Sequence, residues 1–163
     1  MRSPRFWVDA TTMQCWPAPL SYAESAAWVE RNIARYGQHS CGRMLLLRKH
    51  DGIAIGDCGI VATVVNGRPE HDLGYIVHYP YWRQGYAVEA ARACLNDGRA
   101  RLGLRRIVAN MAHDHIASAR VAEKLGMQRV GVFNNERNRG MVTWLYVWEE
   151  SGVRSQESGG AGR

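Results

Sequence analysis

Apolar and polar positions along this chain switch between a period near 3.6 and a period of 2, and the switches mark out its elements. Residues 1–20 carry no clear period. Ser21 and Glu24 then form a capping box, in which the serine hydroxyl takes an early helix N–H and the glutamate reaches back to the cap. The pattern predicts a helix over residues 22–35 that ends near Gly37. Residues 44–49 read as a strand, His50-Asp51-Gly52 as a turn, and residues 53–65 as a longer strand. Within that strand Gly56 and Gly59 mark bulges or places where another backbone comes close. Asn66-Gly67-Arg68-Pro69 is a hairpin connection into a returning strand over residues 70–78.

The second half is as regular. A helix is predicted over residues 85–102, with Ala87, Ala91, Cys94, Leu95 and Leu102 near one face and Gly103 as its stop. A strand follows over 104–111, then a helix over 116–125 with Ala117, Val121 and Leu125 at i, i+4 and i+8, closed by Gly126. Residues 127–134 and 141–149 read as two last strands. The expected fold is an α+β domain over residues 1–150 with a mixed, mostly antiparallel central sheet flanked by helices. Residues 151–163 are Gly/Ser-rich and are expected to form a disordered tail.

Composition adds little to that picture. At 163 residues, with 46% apolar and 22% charged residues, the chain has the length and make-up of one soluble domain. It shows neither a membrane-length apolar run nor an apolar secretory leader. Four cysteines without C-x-x-C spacing read as reduced thiols of the cytoplasm. The net charge of +6 is carried almost wholly by arginine, which raises ribosome or RNA association as one reading; the arginines are scattered, however, and some are needed for a polyanionic ligand. His113, Asp114 and His115 are too few ligands for a closed metal site, and Asp114 suits the N-cap of the following helix.

The candidate chemistry centres on Tyr81-Trp82-Arg83-Gln84-Gly85-Tyr86-Ala87-Val88-Glu89-Ala90-Ala91. A strand, a glycine turn and a helix start make an anion site, because the first helix N–H groups lack partners and sit at the positive end of the dipole. Gly85 lets a ligand approach the backbone and Arg83 adds charge. No G-x-x-x-x-G-K-[ST] and no G-x-G-x-x-G after a strand is present.

The Arg83-Gln84-Gly85-Tyr86-Ala87 stretch resembles the R/Q-x-x-G-x-G/A pyrophosphate loop of the GNAT superfamily of acetyl-CoA-dependent N-acetyltransferases. Two flanking segments extend the resemblance. Ile55-Gly56-Asp57-Cys58-Gly59-Ile60 is similar to an I-G-x-x-G-[LI] strand, and His115-Ile116-Ala117-Ser118-Ala119-Arg120-Val121-Ala122-Glu123-Lys124-Leu125-Gly126-Met127 to the N-x-x-S-x-x-V-x-E-K-L-G-[FM] segment of the branch that includes the ribosomal-protein N-terminal acetyltransferases. It implies a GNAT-like fold whose sheet splays between two central strands to admit acetyl-CoA as co-substrate. It also implies pyrophosphate contacts from Arg83, Gln84, Gly85, Tyr86, Ala87, Val88 and Glu89, and strand-like pairing of pantetheine with Ile76, Val77 and His78. Val77 or its neighbour would be the N–H that polarises the thioester carbonyl, and His115 and Ser118 would lie by the pantetheine and its sulfur. His115 stands where the branch has asparagine, and Ala122 where some relatives place a tyrosine acid; Tyr146 is a substitute for that acid or a packing residue.

An amine acceptor needs a base, and Glu70 and Asp72, alternating to one strand face, are the candidates, with Ser118 as the acid or thiol contact. The expected reaction is acetyl transfer to a primary amine, on a protein N-terminus or a small molecule, by a monomer or homodimer. The alternatives are an inactive acetyl-CoA-binding module of the same fold and a basic ribosome- or RNA-associated protein. Relatives begin with a strand and a helix for which residues 1–20 are too short, so the usual first strand is expected to be short or missing.

Overall fold

The computed structural model describes residues 5–150. The expected tail, residues 151–163, lies outside the described residues. Three helices and six strands are present among them: α1 Tyr22–His39, β1 Arg43–Leu47, β2 Ala54–Val65, β3 Arg68–Val77, α2 Tyr86–Ala100, β4 Arg106–Ala112, α3 Ile116–Lys124, β5 Gln128–Asn135 and β6 Met141–Glu149, with short 3-10 turns at Arg5–Val8, Tyr79–Tyr81 and Glu136–Asn138. The strands form one sheet in the order β1-β2-β3-β4-β6-β5, antiparallel throughout except for the parallel neighbours β3 and β4. This is the expected α+β architecture with a mixed, mostly antiparallel sheet.

The helix boundaries follow local chemistry. Glu24 N–H donates to Ser21 Oγ at 3.2 Å and Ser21 N–H to Glu24 Oε2 at 2.7 Å, which is the capping box read from the sequence. The helix then runs past Gly37 to His39, because the left-handed residue that ends it is Ser40, whose N–H returns to the Tyr36 carbonyl. Gly37 is an interior helical residue with open space where its side chain would be. At the end of α3, Met127 N–H reaches the Ala122 carbonyl and Gly126 N–H the Glu123 carbonyl, a Schellman closure with Gly126 at φ 81°.

Helices α2 and α3 pack on one face of the sheet, over a core that includes Cys58, Ile60, Leu73, Leu95, Ile107 and Tyr146. The opposite face is covered near β3 by the irregular N-terminal segment, where Phe6, Trp7 and Met13 pack with Ile76. That segment forms no strand among the described residues, so β1 lies at the sheet edge. Gly59 is required where β1 meets β2: a Cβ there would stand 2.0 Å from the Gly42 carbonyl oxygen. The close approach expected of the Gly56/Gly59 pair is thus a backbone-to-backbone contact.

Candidate functional site

The site begins where the sheet comes apart. β3 and β4 share one bridge pair, Asp72 with Val108, and then diverge. On its other side β3 stays paired with β2 as far as Val77, and His78 N–H donates to the Ile55 carbonyl at 2.7 Å. In an antiparallel ladder alternate residues turn their backbone groups to opposite sides. His78 and Ile76 therefore face β2, while Tyr75 and Val77 face the gap. Of the three residues expected to pair with pantetheine, Val77 is the one whose N–H is directed into the opening. Its carbonyl is already taken: Trp82 Nε1 donates to it at 2.6 Å, which ties the following loop to the strand end.

That loop has the geometry of an anion cradle. Arg83 and Gly85 both adopt left-handed conformations, at φ 61° and 88°. Gly85 is the N-cap of α2, and the space its Cβ would enter holds no protein atom within 4 Å. The first intrahelical bond runs from Glu89 N–H to the Gly85 carbonyl at 3.0 Å, so the N–H groups of Tyr86, Ala87 and Val88 remain free at the positive helix end. Glu89 N–H, expected among the donors, is spent inside the helix. Gln84 braces the loop by donating from Nε2 to the Pro80 carbonyl at 3.2 Å, and Arg83 is exposed beside it. A Cβ-free approach with three unspent donors is the donor set a pyrophosphate requires.

Through the gap runs a cleft of about 590 Å³ whose walls include Trp16, Trp28, Arg43, Asp72, Tyr75 and Ser118. The two faces of β3 contribute different chemistry to it. On the helix side Tyr75 Oη donates to the Ser118 carbonyl at 2.8 Å, and Ser118 Oγ donates to Tyr75 Oη at 3.2 Å. Burial pushes the Tyr75 phenol well above its ordinary pKa, so it stays protonated at neutral pH. On the opposite side Asp72 accepts from Asn110 Nδ2 at 2.9 Å. Burial raises its pKa to about 6, opposed by the Arg43 guanidinium and by the Asn110 hydrogen bond.

Glu70 shares the strand face of Asp72 but has a different environment. Its carboxylate is held at 3.1 Å by both Nε and Nη2 of Arg106, which also binds Glu149. It is not part of the cleft wall. His115 lines the cleft at the N-cap of α3, makes no capping bond with its side chain, and has its pKa lowered by burial. Asp114 is therefore not the N-cap the sequence suggested; its backbone carbonyl accepts from Ile116 N–H instead. Tyr146 Oη donates to Glu123 on the helix face, away from the cleft.

Sequence reasoning passed over Tyr75, Asn110 and Arg43. Tyr75 was visible as the residue after Gly74 that alternates onto the face opposite Asp72, but nothing local pairs it with Ser118, 43 residues on. Arg43 belongs to a buried group around Asp57: Trp7 Nε1 donates to Asp57 Oδ2 at 2.6 Å and Arg43 Nη1 stands 3.3 Å from Oδ1. This group fastens the N-terminal segment to β2 and makes a rigid wall of the cleft.

Comparison with known proteins fits this geometry. The chain is 36% identical over 100 residues to the uncharacterised Bacillus subtilis (strain 168) protein YkkB, a match covering 61% of this chain and 56%, about half, of YkkB. It is 32% identical over 137 residues to YnaD of the same organism, an uncharacterised N-acetyltransferase, covering 83% of this chain and 77% of YnaD. Among solved structures, a GNAT-family acetyltransferase from Bacillus anthracis superposes with a TM-score of 0.73 at 24% identity, over 90% of this chain and 87% of that one. RimL, a ribosomal L7/L12 α-N-protein acetyltransferase solved in complex with coenzyme A, superposes with a TM-score of 0.67 at 18% identity, over 80% of this chain and 74% of RimL. The family model described as acetyltransferase (GNAT) domain matches residues 3–128, well over half of the sequence, and on that match the chain belongs to the GNAT acetyltransferases.

Proposed function

We propose that this protein transfers an acetyl group from acetyl-CoA to a primary amine, with Asp72 as the base. The observation that carries the reading is that the free donors and the carboxylate stand on the same parting of the sheet. The N–H groups of Tyr86, Ala87 and Val88 lie free at the start of α2, Val77 N–H faces the gap between β3 and β4, and the cleft that crosses this gap from Tyr75 and Ser118 ends on the half-buried carboxylate of Asp72. RimL's complex with coenzyme A supports the ligand, and its α-N-protein acceptor supports an amine substrate on a protein N-terminus or a small molecule.

Acetyl-CoA supplies the acetyl group as a thioester. The loop at residues 83–88 would hold its pyrophosphate, and Val77 N–H would face the thioester carbonyl oxygen, where negative charge develops. An amine entering past Trp16 and Trp28 would lose a proton to Asp72, whose pKa of about 6 lets it act as a base at neutral pH. The new N–C bond would form as the C–S bond breaks, and the Tyr75–Ser118 hydroxyl pair would protonate the departing sulfur. The balance is amine plus thioester to amide plus thiol. Glu70 is structural in this scheme, because Arg106 occupies it. The four free cysteines support a reducing, cytoplasmic setting, and no helix among the described residues is long and apolar enough to cross a membrane.

Calorimetric titration with acetyl-CoA tests the reading, with Gly85→Glu alongside. The wild type should bind and the variant should not, since its side chain would fill the space reserved for the pyrophosphate. Wild-type protein that binds no acetyl-CoA would refute the proposal.

A further inference from the structure

The wall of the cleft beside Asp72 holds two arginines whose hydrogen-bond donors the described residues leave largely unused. Arg43 starts on β1, two strands from Asp72, and reaches it across glycines. Arg43 pairs with Gly59 on β2, and Gly59 with Gly74 on β3, so no side chain bars the way. A Cβ on Gly74 would lie 2.5 Å from Arg43 Nη1, 2.6 Å from Cζ and 2.7 Å from Nη2. The guanidinium thus lies flat over Gly74. At a strand rise of about 3.3 Å per residue, Gly74 is roughly 7 Å along the same face from Asp72. The Arg43 backbone is fixed from below, its N–H donating to Asn32 Oδ1 at 2.9 Å.

The Arg43 side chain is 8% exposed. Its one charged contact is Asp57, and no protein acceptor among the described residues takes a hydrogen bond from its guanidinium. Besides Asp57 it meets the face of Trp28, with Cζ 5.7 Å from the ring centroid, and neither contact uses up its five donors. Arg35, one helical turn beyond Asn32 on α1, lines the same cleft and is close enough that Arg43 and Arg31 help lower its pKa, after burial. It pairs with no carboxylate among the described residues; its contact is a long 3.5 Å hydrogen bond to Asn32 Oδ1. Asp57 pairs with Arg43, while Arg35 has no carboxylate partner among the described residues; the wall's own carboxylates are Asp72 and Glu136.

We propose that the acceptor is a free α-amino acid, its amine facing Asp72 and its carboxylate seated on Arg43 and Arg35. This rests on the acetyl-transfer reading and narrows its acceptor. The carboxylate would take charge-assisted hydrogen bonds from the two guanidiniums. The amine and carboxylate sit on one carbon and bridge the interval between Asp72 and Gly74. The side chain then lies against Trp28 and Trp16, which meet edge to face with centroids 5.7 Å apart. A protein N-terminus carries a neutral amide where this site presents guanidiniums, so its carbonyl offers them no negative charge to pair with.

The test compares the twenty amino acids with their amides and with the matching decarboxylated amines, following thiol release and product mass with acetyl-CoA. An amino-acid amide has the more acidic ammonium and so more free amine at neutral pH. Intrinsic reactivity therefore favours the amide, and a preference for the acid has to come from the protein. At least one acid should exceed its amide in kcat/KM by roughly 10- to 100-fold, the range of a hydrogen bond to a charged group. Arg35→Gln, at a half-buried helical position, should erase most of that preference by raising KM for the acid, with the acetyl-CoA dissociation constant unchanged by calorimetry. Gly74→Ala, which displaces the Arg43 guanidinium without removing it, should also cut the ratio of acid to amide in kcat/KM. Amides, amines or peptide N-termini turned over as fast as the acids would overturn this inference and leave acetyl transfer standing. Acetyl-CoA binding with no transfer to any amine would overturn both.

Discussion

Replacing Asp72 by asparagine should make the protein more stable and nearly inactive at once. The ordinary aspartate value of 3.8 and the value of about 6 in the folded cleft differ by an amount worth about 3 kcal/mol. The sign follows from which state holds its proton longer. The folded protein binds the proton more tightly than the unfolded chain, so the group favours folding below pH 3.8, and that advantage is lost as pH rises through about 6. At pH 8 the wild type bears the full cost of a desolvated carboxylate. Asparagine does not, and its Oδ1 can still accept the 2.9 Å bond from Asn110. Because Asp72 retains some solvent contact, about 3 kcal/mol is a ceiling. The variant should gain up to that much at pH 8, or up to about 10 °C in Tm for a domain of this size, and little at pH 4. Urea melts of both proteins at the two pH values isolate the effect, because every other titrating group cancels in the difference. Acetyl transfer should fall roughly 100- to 10,000-fold with loss of the base. The acidic limb of the wild-type rate profile, centred near pH 6, should disappear. Equal stability differences at pH 4 and pH 8 would refute the desolvation argument; a rate loss under tenfold would refute the role of base.

Other perturbations test the rest of the site. Tyr75→Phe should lower kcat roughly 100-fold, as expected for loss of a general acid, with the acetyl-CoA dissociation constant unchanged by calorimetry. Trp82→Phe frees the Val77 carbonyl and should cost about 1 kcal/mol of stability by urea melting together with some acetyl-CoA affinity, since strand end and loop are no longer tied. Gly59→Ala forces a methyl group against the Gly42 carbonyl, and thermal melting should show a loss of at least about 1–3 kcal/mol.

The fold was legible where the signal is local. The capping box at Ser21 and Glu24, the glycine stop at Gly126 and the alternation in β2 and β3 each declare themselves within a few residues. The end of α1 was less so, because Gly37 looks like a terminator while the turn that ends the helix is made by Ser40. The N-terminal segment has no period because it covers the sheet irregularly, burying Phe6 and Trp7 from a 3-10 turn and Met13 beyond it, with neither strand nor α-helix before Tyr22 among the described residues. In the site, the loop and Ser118 were legible as motif, but the difference between Glu70 and Asp72 was not. Alternation makes them equivalent; what separates them is Arg106 against one and Asn110 against the other, 36 and 38 residues away. Arg43 was opaque for the same reason, since its path is defined by glycines on two other strands.

The parting of β3 and β4 also has a meaning for what the protein must keep out. Past the Asp72–Val108 bridge, β3 is an edge strand in the middle of a sheet, with Tyr75 and Val77 presenting unsatisfied backbone groups. An edge of that kind invites any extended peptide to add to it. Here it lies at the bottom of a crevice between α2, α3 and the N-terminal segment, and Trp82 already occupies the last carbonyl. A ligand that laid amides along β3 past the bridge would complete its ladder and at the same time close the one interior edge this sheet leaves open to another chain.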